Sequence, residues 1–187
     1  MNQTWFYYLN NLASQKIWFD GLVVFFGEYF SWIVLAGLGA YLLFRQEKRI
    51  LRMVIFSLIL GTASLAAAMF IRFFYFHPRP FAFLGNIYQL IVHAPTASFP
   101  SAHAAFFFGL AAGIYFFNKR LSVAFFASAF LISVSRVIGG IHWPFDIIGG
   151  AIVGLASAFL LRYLWHRYKN RLQGFDNGNK EKEETVS

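Results

Sequence analysis

Long apolar stretches follow one another along this chain of 187 residues, and the charged residues gather at their ends. Residues 21–44 are apolar except for Glu28 and a few small polar groups, and residues 53–71 carry no charge at all. A helix crosses a bilayer with roughly 20 residues, so each of these stretches predicts a transmembrane helix. Three shorter apolar stretches follow at about 101–117, 121–137 and 145–165. The last contains Gly149-Gly150 and Gly154, which permit close packing of helices in a membrane. At the N-terminus, residues 4–13 interleave Trp5, Phe6, Tyr8, Leu9 and Leu12 with Asn10 and Asn11. This predicts a helix lying at the membrane interface, with a frayed leader as the alternative.

Two stretches break the apolar pattern. Residues 72–100 hold Pro78, Pro80, Pro95 and Pro100 and read as a loop with some short structure, and Gly139-Gly140 with Pro144 marks a turn. Residues 172–187 are polar and predict a disordered tail. The expected fold is therefore all-α: a polytopic membrane helix bundle of about five transmembrane helices plus the N-terminal interfacial helix. A single domain is expected over residues 1–171, with the tail beyond it.

Composition supports lipid as the solvent. The chain is 58% hydrophobic and 13% charged, against about 25% charged in ordinary soluble domains. No cysteine is present, which excludes disulfides and thiolate metal sites. No basic segment precedes a small-residue cleavage site, so no cleaved signal is expected. The net charge of +8 is scattered among apolar segments, which speaks against nucleic acid as a partner. Membrane topology accounts for it better. Arg45, Lys48, Arg49 and Arg52 follow the first span, Lys119 and Arg120 the third, and Arg162, Arg167, Lys169 and Arg171 end the fifth. With alternating spans these groups share one side, which the positive-inside rule makes the cytoplasm, together with the C-terminus. A multi-pass plasma-membrane protein is expected.

The remaining charges then fall on the opposite side. Arg72 and Arg79 follow the outer end of the second span. Ser101, Ala102 and His103 open the third, Arg136 closes the fourth, and His142 and Asp146 open the fifth. Ionisable residues near the hydrocarbon are costly and mark functional sites. Three guanidinium groups suit a phosphate, whose oxygens they bind bidentately. Ser101 can cap the third helix, and its hydroxyl and the Ala102 amide can hold an anion at the helix N-terminus. His103 reads either as a structural histidine or as a proton donor to a leaving oxygen. Asp146, one turn beyond His142, can take the proton of one imidazole nitrogen and free the other for attack, or complement the helix dipole, or both. His77 and His93 read as rim residues. Glu28 either pairs with a site arginine or packs among polar groups near the interface. No metal or cofactor is expected, because three arginines repel a dication and no ligand pair has zinc spacing.

Together these residues resemble the type-2 phosphatidic acid phosphatase superfamily. Its pattern is Lys-x6-Arg-Pro, Pro-Ser-Gly-His and Ser-Arg-x5-His-x3-Asp. Here it reads Arg72 through Arg79-Pro80, Pro100-Ser101-Ala102-His103, and Ser135-Arg136 through His142 to Asp146, with every spacing intact. Arg72 stands for the family lysine, and Ala102 for a glycine, which puts any left-handed backbone there in question. The resemblance implies a core like that of acid phosphatases and vanadium haloperoxidases. It also implies metal-independent hydrolysis with His142 as nucleophile forming a phosphohistidine, Asp146 orienting it and His103 serving as acid and then base. Arg72, Arg79, Arg136, Ser101 and the Ala102 amide would hold the phosphoryl oxygens.

Within the superfamily, the runs Phe76-His77-Pro78-Arg79-Pro80-Phe81 and Val92–Ser101 are similar to the small undecaprenyl-diphosphate phosphatases of the bacitracin-resistance type. This implies recycling of the cell-wall carrier lipid, with an extracytoplasmic site. The alternatives are a phosphatase of phosphatidic acid or phosphatidylglycerophosphate, and a protein that binds or transports an anionic lipid without hydrolysis.

Overall fold

The computed structural model describes the backbone of residues 1–184 and side chains through Arg171. Eight helices follow one another: α1 (Asn2–Asn10), α2 (Ile17–Val24), α3 (Phe30–Arg45), α4 (Lys48–Phe74), α5 (Pro80–Phe83), α6 (Ala102–Tyr115), α7 (Lys119–Ile138) and α8 (Pro144–Glu184). A π-helical turn over Phe25–Tyr29 joins α2 to α3, so that Ile17–Arg45 forms one span with a wide turn inside it. The expected disordered tail, residues 172–187, lies outside the residues whose side chains are described.

The spans are longer than their apolar stretches. Lys48, Arg49 and Arg52, which follow the first apolar stretch, belong to the opening turns of α4, and Arg72 lies in its last turn rather than beyond it. Long cationic side chains carry their charge outward from a helix end while their stems stay on apolar surface. The uncharged stretch therefore understates the helix.

Among the described residues four spans are long and apolar enough to cross a membrane: Ile17–Arg45, Lys48–Phe74, Lys119–Ile138 and Pro144–Arg171. Their outer faces carry exposed Trp32, Phe44, Ile59, Phe73, Phe130 and Leu160. The expected third span is the exception. Helix α6 has 14 residues, about 21 Å of helix against roughly 30 Å of hydrocarbon. It is the central helix, packed against α4, α7 and α8. Protein surrounds it, with Ala104, Ala105, Leu110, Ala111 and Ile114 fully buried, so it need not reach both membrane faces itself. Irregular backbone at membrane depth is tolerated where protein covers it.

Small residues set these close contacts. Ser57 and Ser64 of α4 are fully buried, and the Ser64 hydroxyl donates to Leu60 O at 2.8 Å and to Gly154 O of α8 at 3.1 Å. A Cβ on Gly113 would come within 2.6 Å of the Ser57 Cα, and one on Gly154 within 2.5 Å of the Ala105 carbonyl oxygen. Both contacts are with backbone, so the helices must separate to admit a side chain. Gly113→Val is therefore expected to cost about 1–3 kcal/mol or more, read as a lowered thermal midpoint in detergent. An unchanged midpoint would show that α4 and α6 are not held this closely.

Helix α1 is anchored against the protein. Phe6 is fully buried on Trp143, with ring centroids 5.2 Å apart. The Asn10 amide donates to Tyr88 O at 2.7 Å and Ile138 O at 2.9 Å, and its oxygen accepts from the Tyr88 N–H at 2.9 Å. One side chain thus ties α1 and the loop before α6 to the end of α7.

Candidate active site

The eight residues singled out in the sequence come from six places in the chain and meet at one end of α4, α6, α7 and α8. Arg72 extends from the last turn of α4, giving its Nε–H to Pro100 O at 2.8 Å and an Nη2–H to Ser98 O at 3.2 Å. It thereby holds the stretch of loop that leads into α6. Ser101 caps α6, its hydroxyl oxygen accepting from the Ala104 N–H, while its own N–H donates to Asp146 O at 2.9 Å. Ala102 is the first residue of α6 and is not among the residues with positive φ. No left-handed backbone is required there, and alanine serves as well as glycine.

Helix α7 ends just beyond Arg136, at a turn where Gly140 has φ +84°. A Cβ at Gly140 would also lie 2.5 Å from Tyr88 O. Both the sign of φ and the contact call for glycine. The turn delivers His142 to the protein interior, and Pro144 starts α8 with Asp146 in its first turn.

His142 and Asp146 are each 1% exposed. His142 Nδ1 is 3.2 Å from Asp146 Oδ2, and Nε2 is 3.3 Å from Arg79 Nη1. A guanidinium can only donate, so Nε2 is the acceptor, and a carboxylate accepts, so Nδ1 carries the proton. Two independent contacts thus select the same tautomer, with a lone pair on Nε2. Asp146 Oδ2 also accepts the Trp143 N–H at 2.8 Å and the hydroxyl of Ser98. On its other side, Oδ1 faces Nδ1 of the half-buried His77 at 3.8 Å.

Arg79 is 1% exposed and Arg136 4%. Arg79 Nη1 also donates to Ile141 O at 2.8 Å, and Nη2 donates to Thr96 Oγ1 at 3.3 Å. Arg136 Nη1 donates at 2.7 Å to Gly27 O, a carbonyl within the π-helical turn. Such turns free backbone groups from the α-helical ladder and recur at functional sites. It is this carbonyl, next to Glu28, that Arg136 uses, while the Glu28 carboxylate acts on it only through space. The Nε groups of both Arg79 and Arg136 are buried with no acceptor, an arrangement that an oxyanion would complete.

Electrostatics follow from this crowding. Burial, and then Arg72, push the Arg79 guanidinium down to about 10 against the opposing pull of Asp146. His142 is held well below the ordinary histidine value, first by burial and then by Arg79, Arg136 and Arg72. His93, on the loop, is lowered chiefly by burial, and the three arginines add to this against its hydrogen bond to Ala94 O.

His103 lies in the first turn of α6, near enough to Arg136 and His142 to feel their charge. It borders an apolar groove of about 190 Å³ whose walls include Trp32, Leu35, Leu65, Phe106 and Phe107. The site thus has a cationic half and an apolar flank.

Three contributors carry no signal in the motifs. Ser98 is fully buried against both His142 and Asp146, and only its position three residues before Ser101 points to it. The Gly27 carbonyl and the Trp143 N–H are backbone groups, which no residue type announces.

A profile of the PAP2 superfamily matches residues 50–171. The chain belongs to this superfamily. It is 31% identical over 156 residues to the bacitracin transport permease protein BcrC of Bacillus licheniformis, covering 83% of this chain and 76% of that one. It is 29% identical over 179 residues to the undecaprenyl-diphosphatase BcrC of Bacillus subtilis, covering 94% and 88%. Among solved structures, LpxE of Aquifex aeolicus superposes with a TM-score of 0.66 at 26% identity, covering 85% of this chain and 93% of that one. A transmembrane PAP2-type phosphatidylglycerolphosphate phosphatase from Bacillus subtilis shares the fold, with a TM-score of 0.57 at 19% identity over 88% and 86%. This PAP2 protein is a multi-pass membrane lipid phosphatase, a hydrolase of phosphate esters.

Proposed function

We propose that this phosphatase removes the terminal phosphate of undecaprenyl diphosphate, with His142 as the nucleophile and the site on the extracytoplasmic side. The observation that carries the chemistry is the tautomer of His142: a buried imidazole with its proton on Asp146 and its Nε2 lone pair among the guanidinium groups. An anion-binding protein has no need of an oriented imidazole. The apolar groove beside His103 supports a long lipid tail next to the cationic pocket, and the similarity to an undecaprenyl-diphosphatase supports the choice of lipid.

In the first step Nε2 attacks the terminal phosphorus and the bond to the bridging oxygen breaks. Nδ1 keeps its proton on Asp146, which offsets the positive charge developing on the ring. His103 gives its proton to the departing oxygen of undecaprenyl phosphate. In the second step His103 takes a proton from water, the resulting hydroxide attacks phosphorus, and the P–N bond breaks to release inorganic phosphate and neutral His142. Arg72, Arg79 and Arg136 hold the equatorial oxygens, with Ser101 and the Ala102 N–H at the helix N-terminus. Fixed donors aimed at developing charge are the main source of rate in such transfers. The sidedness rests on the basic ends of the spans, all at the end of the bundle away from His142.

The depressed His142 sets a pH expectation. An ordinary imidazole becomes protonated, and useless as a nucleophile, as pH falls through about 6.5. His142 stays neutral to lower pH. The acid limb of kcat/KM, which reports groups of the free enzyme, should therefore fall below that value. A limb at or above it would contradict the burial of the nucleophile.

The substrate is tested by phosphate release from a panel of detergent-solubilised lipids: undecaprenyl diphosphate, phosphatidic acid, phosphatidylglycerophosphate and a lipid A phosphate. The carrier diphosphate is expected among the best substrates. Its absence from them, with another lipid hydrolysed well, would reject the lipid assignment and leave the chemistry standing.

A further inference from the structure

A second electropositive cavity lies at the far end of the same bundle. It measures about 440 Å³ and is ringed by Arg45, Arg49, Lys119 and Arg120, with Glu47 as its one carboxylate. These residues come from the end of α3, the start of α4 and the start of α7. Four cations against one carboxylate leave a local charge of +3. Among the described residues none of the four cations reaches a carboxylate at ion-pair distance, since the close charged contacts all belong to Asp146. Arg49 instead donates to Phe117 O at 3.2 Å, and Lys119 sits over the Tyr115 ring at 5.7 Å from its centroid.

The helix ends sharpen the imbalance. Neither α4 nor α7 has an acidic residue in its first turn, and both carry cations there. Cations are unfavourable at the positive end of a helix dipole, so α7 places its charges against its own field, and α4 does so beside Glu47 at its N-cap. A preference for basic residues on one membrane face explains their sign but not their convergence around one cavity. The inner wall is apolar, formed by Ile50, Met53 and Phe117, with Tyr41 beside them. An amphiphile with an anionic head fits such a wall and rim better than a free anion does.

We propose that this cavity binds the headgroup of an anionic phospholipid, separately from the catalytic end. The phosphodiester would sit among Arg45, Arg49, Lys119 and Arg120, and the acyl chains would descend along the apolar wall into the bilayer. Each juxtamembrane cation strengthens the hold on such a headgroup, so losing two should weaken binding about thirtyfold.

The test uses the full-length protein in detergent, titrated with dioctanoyl-phosphatidylglycerol and with dioctanoyl-phosphatidylcholine, bound lipid being counted by native mass spectrometry. One bound phosphatidylglycerol per chain is expected, with phosphatidylcholine binding at least about tenfold more weakly. Lys119→Gln/Arg120→Gln, which leaves the Arg49–Phe117 contact in place, should lose that lipid, and Lys119→Arg/Arg120→Lys should keep it. Phosphatase activity in phosphatidylcholine vesicles should be retained by both variants, which separates a lost lipid from a lost fold. Equal retention of both lipids, or undiminished phosphatidylglycerol on the Gln variant, would overturn the proposal. Displacement of the lipid by millimolar inorganic phosphate would show an unselective anion site and overturn it equally.

Discussion

His142→Ala is expected to abolish phosphate release, with kcat falling about 10⁴–10⁶-fold, the scale seen when a nucleophile acting in a concerted group is removed. The variant keeps Arg72, Arg79 and Arg136, so the lipid should still bind. A phosphoenzyme trapped by rapid acid-free quenching of the wild type with labelled substrate should be missing from the variant. The imidazole is buried against Arg79, so its removal also leaves a void, and the thermal midpoint must be read alongside. A variant that binds lipid, melts near the wild-type temperature and turns over nothing establishes the role. A variant that retains substantial turnover removes His142 from the chemistry, whatever the substrate.

Asp146→Asn should cost about 10³–10⁴-fold in kcat, the scale seen when the carboxylate behind a catalytic histidine is replaced by an amide. In the native site Asp146 Oδ2 gathers the Trp143 N–H, the Ser98 hydroxyl and the His142 Nδ1–H. An asparagine has one oxygen and one amino group. With its oxygen in the Oδ2 position the asparagine keeps all three donors, and its amino group takes the Oδ1 position facing His77 Nδ1. The Nε2 lone pair stays free, but the negative charge that offsets the positive charge developing on the attacking ring is gone. KM should change far less than kcat, because the groups that hold the lipid phosphate are untouched. Ser98→Ala acts on the same carboxylate from outside and should lower kcat about tenfold, the value of one charge-assisted hydrogen bond, with Ser98→Thr restoring most of it. An Asp146→Asn enzyme with unaltered kcat would mean that the charge of Asp146 does not act on the nucleophile.

Much of this site is legible in the sequence. The three motifs name Arg72, Arg79, Ser101, His103, Arg136, His142 and Asp146, which the fold gathers at one end of the bundle, and lipid-facing sequence around them carries almost no competing charge. Four of the five expected membrane segments are legible for the same reason. Helix limits are less so. Arg72, Lys48 and Arg49 sit inside α4 although they interrupt its apolar pattern, since helical hydrogen bonding tolerates a charge that can reach outward. Residues whose role lies in the backbone are invisible. Gly27 contributes a carbonyl within a π-helical turn, and Ser98 a hydroxyl that gains its partners only when the loop folds back on α8.

By itself, then, the sequence determined the solvent, the helical class and the side chains that make up the candidate site, because composition and covalent spacing decide these locally. The tertiary structure alone decided which atom of His142 is free, what each arginine leans on, and that α6 is a short helix enclosed by its neighbours. It also gathered four cations from separate helix ends around one cavity far from the chemistry. The physical reason is the same in each case: hydrogen-bond partnership, burial and summed charge belong to groups distant in the chain, and only packing brings them within reach of one another.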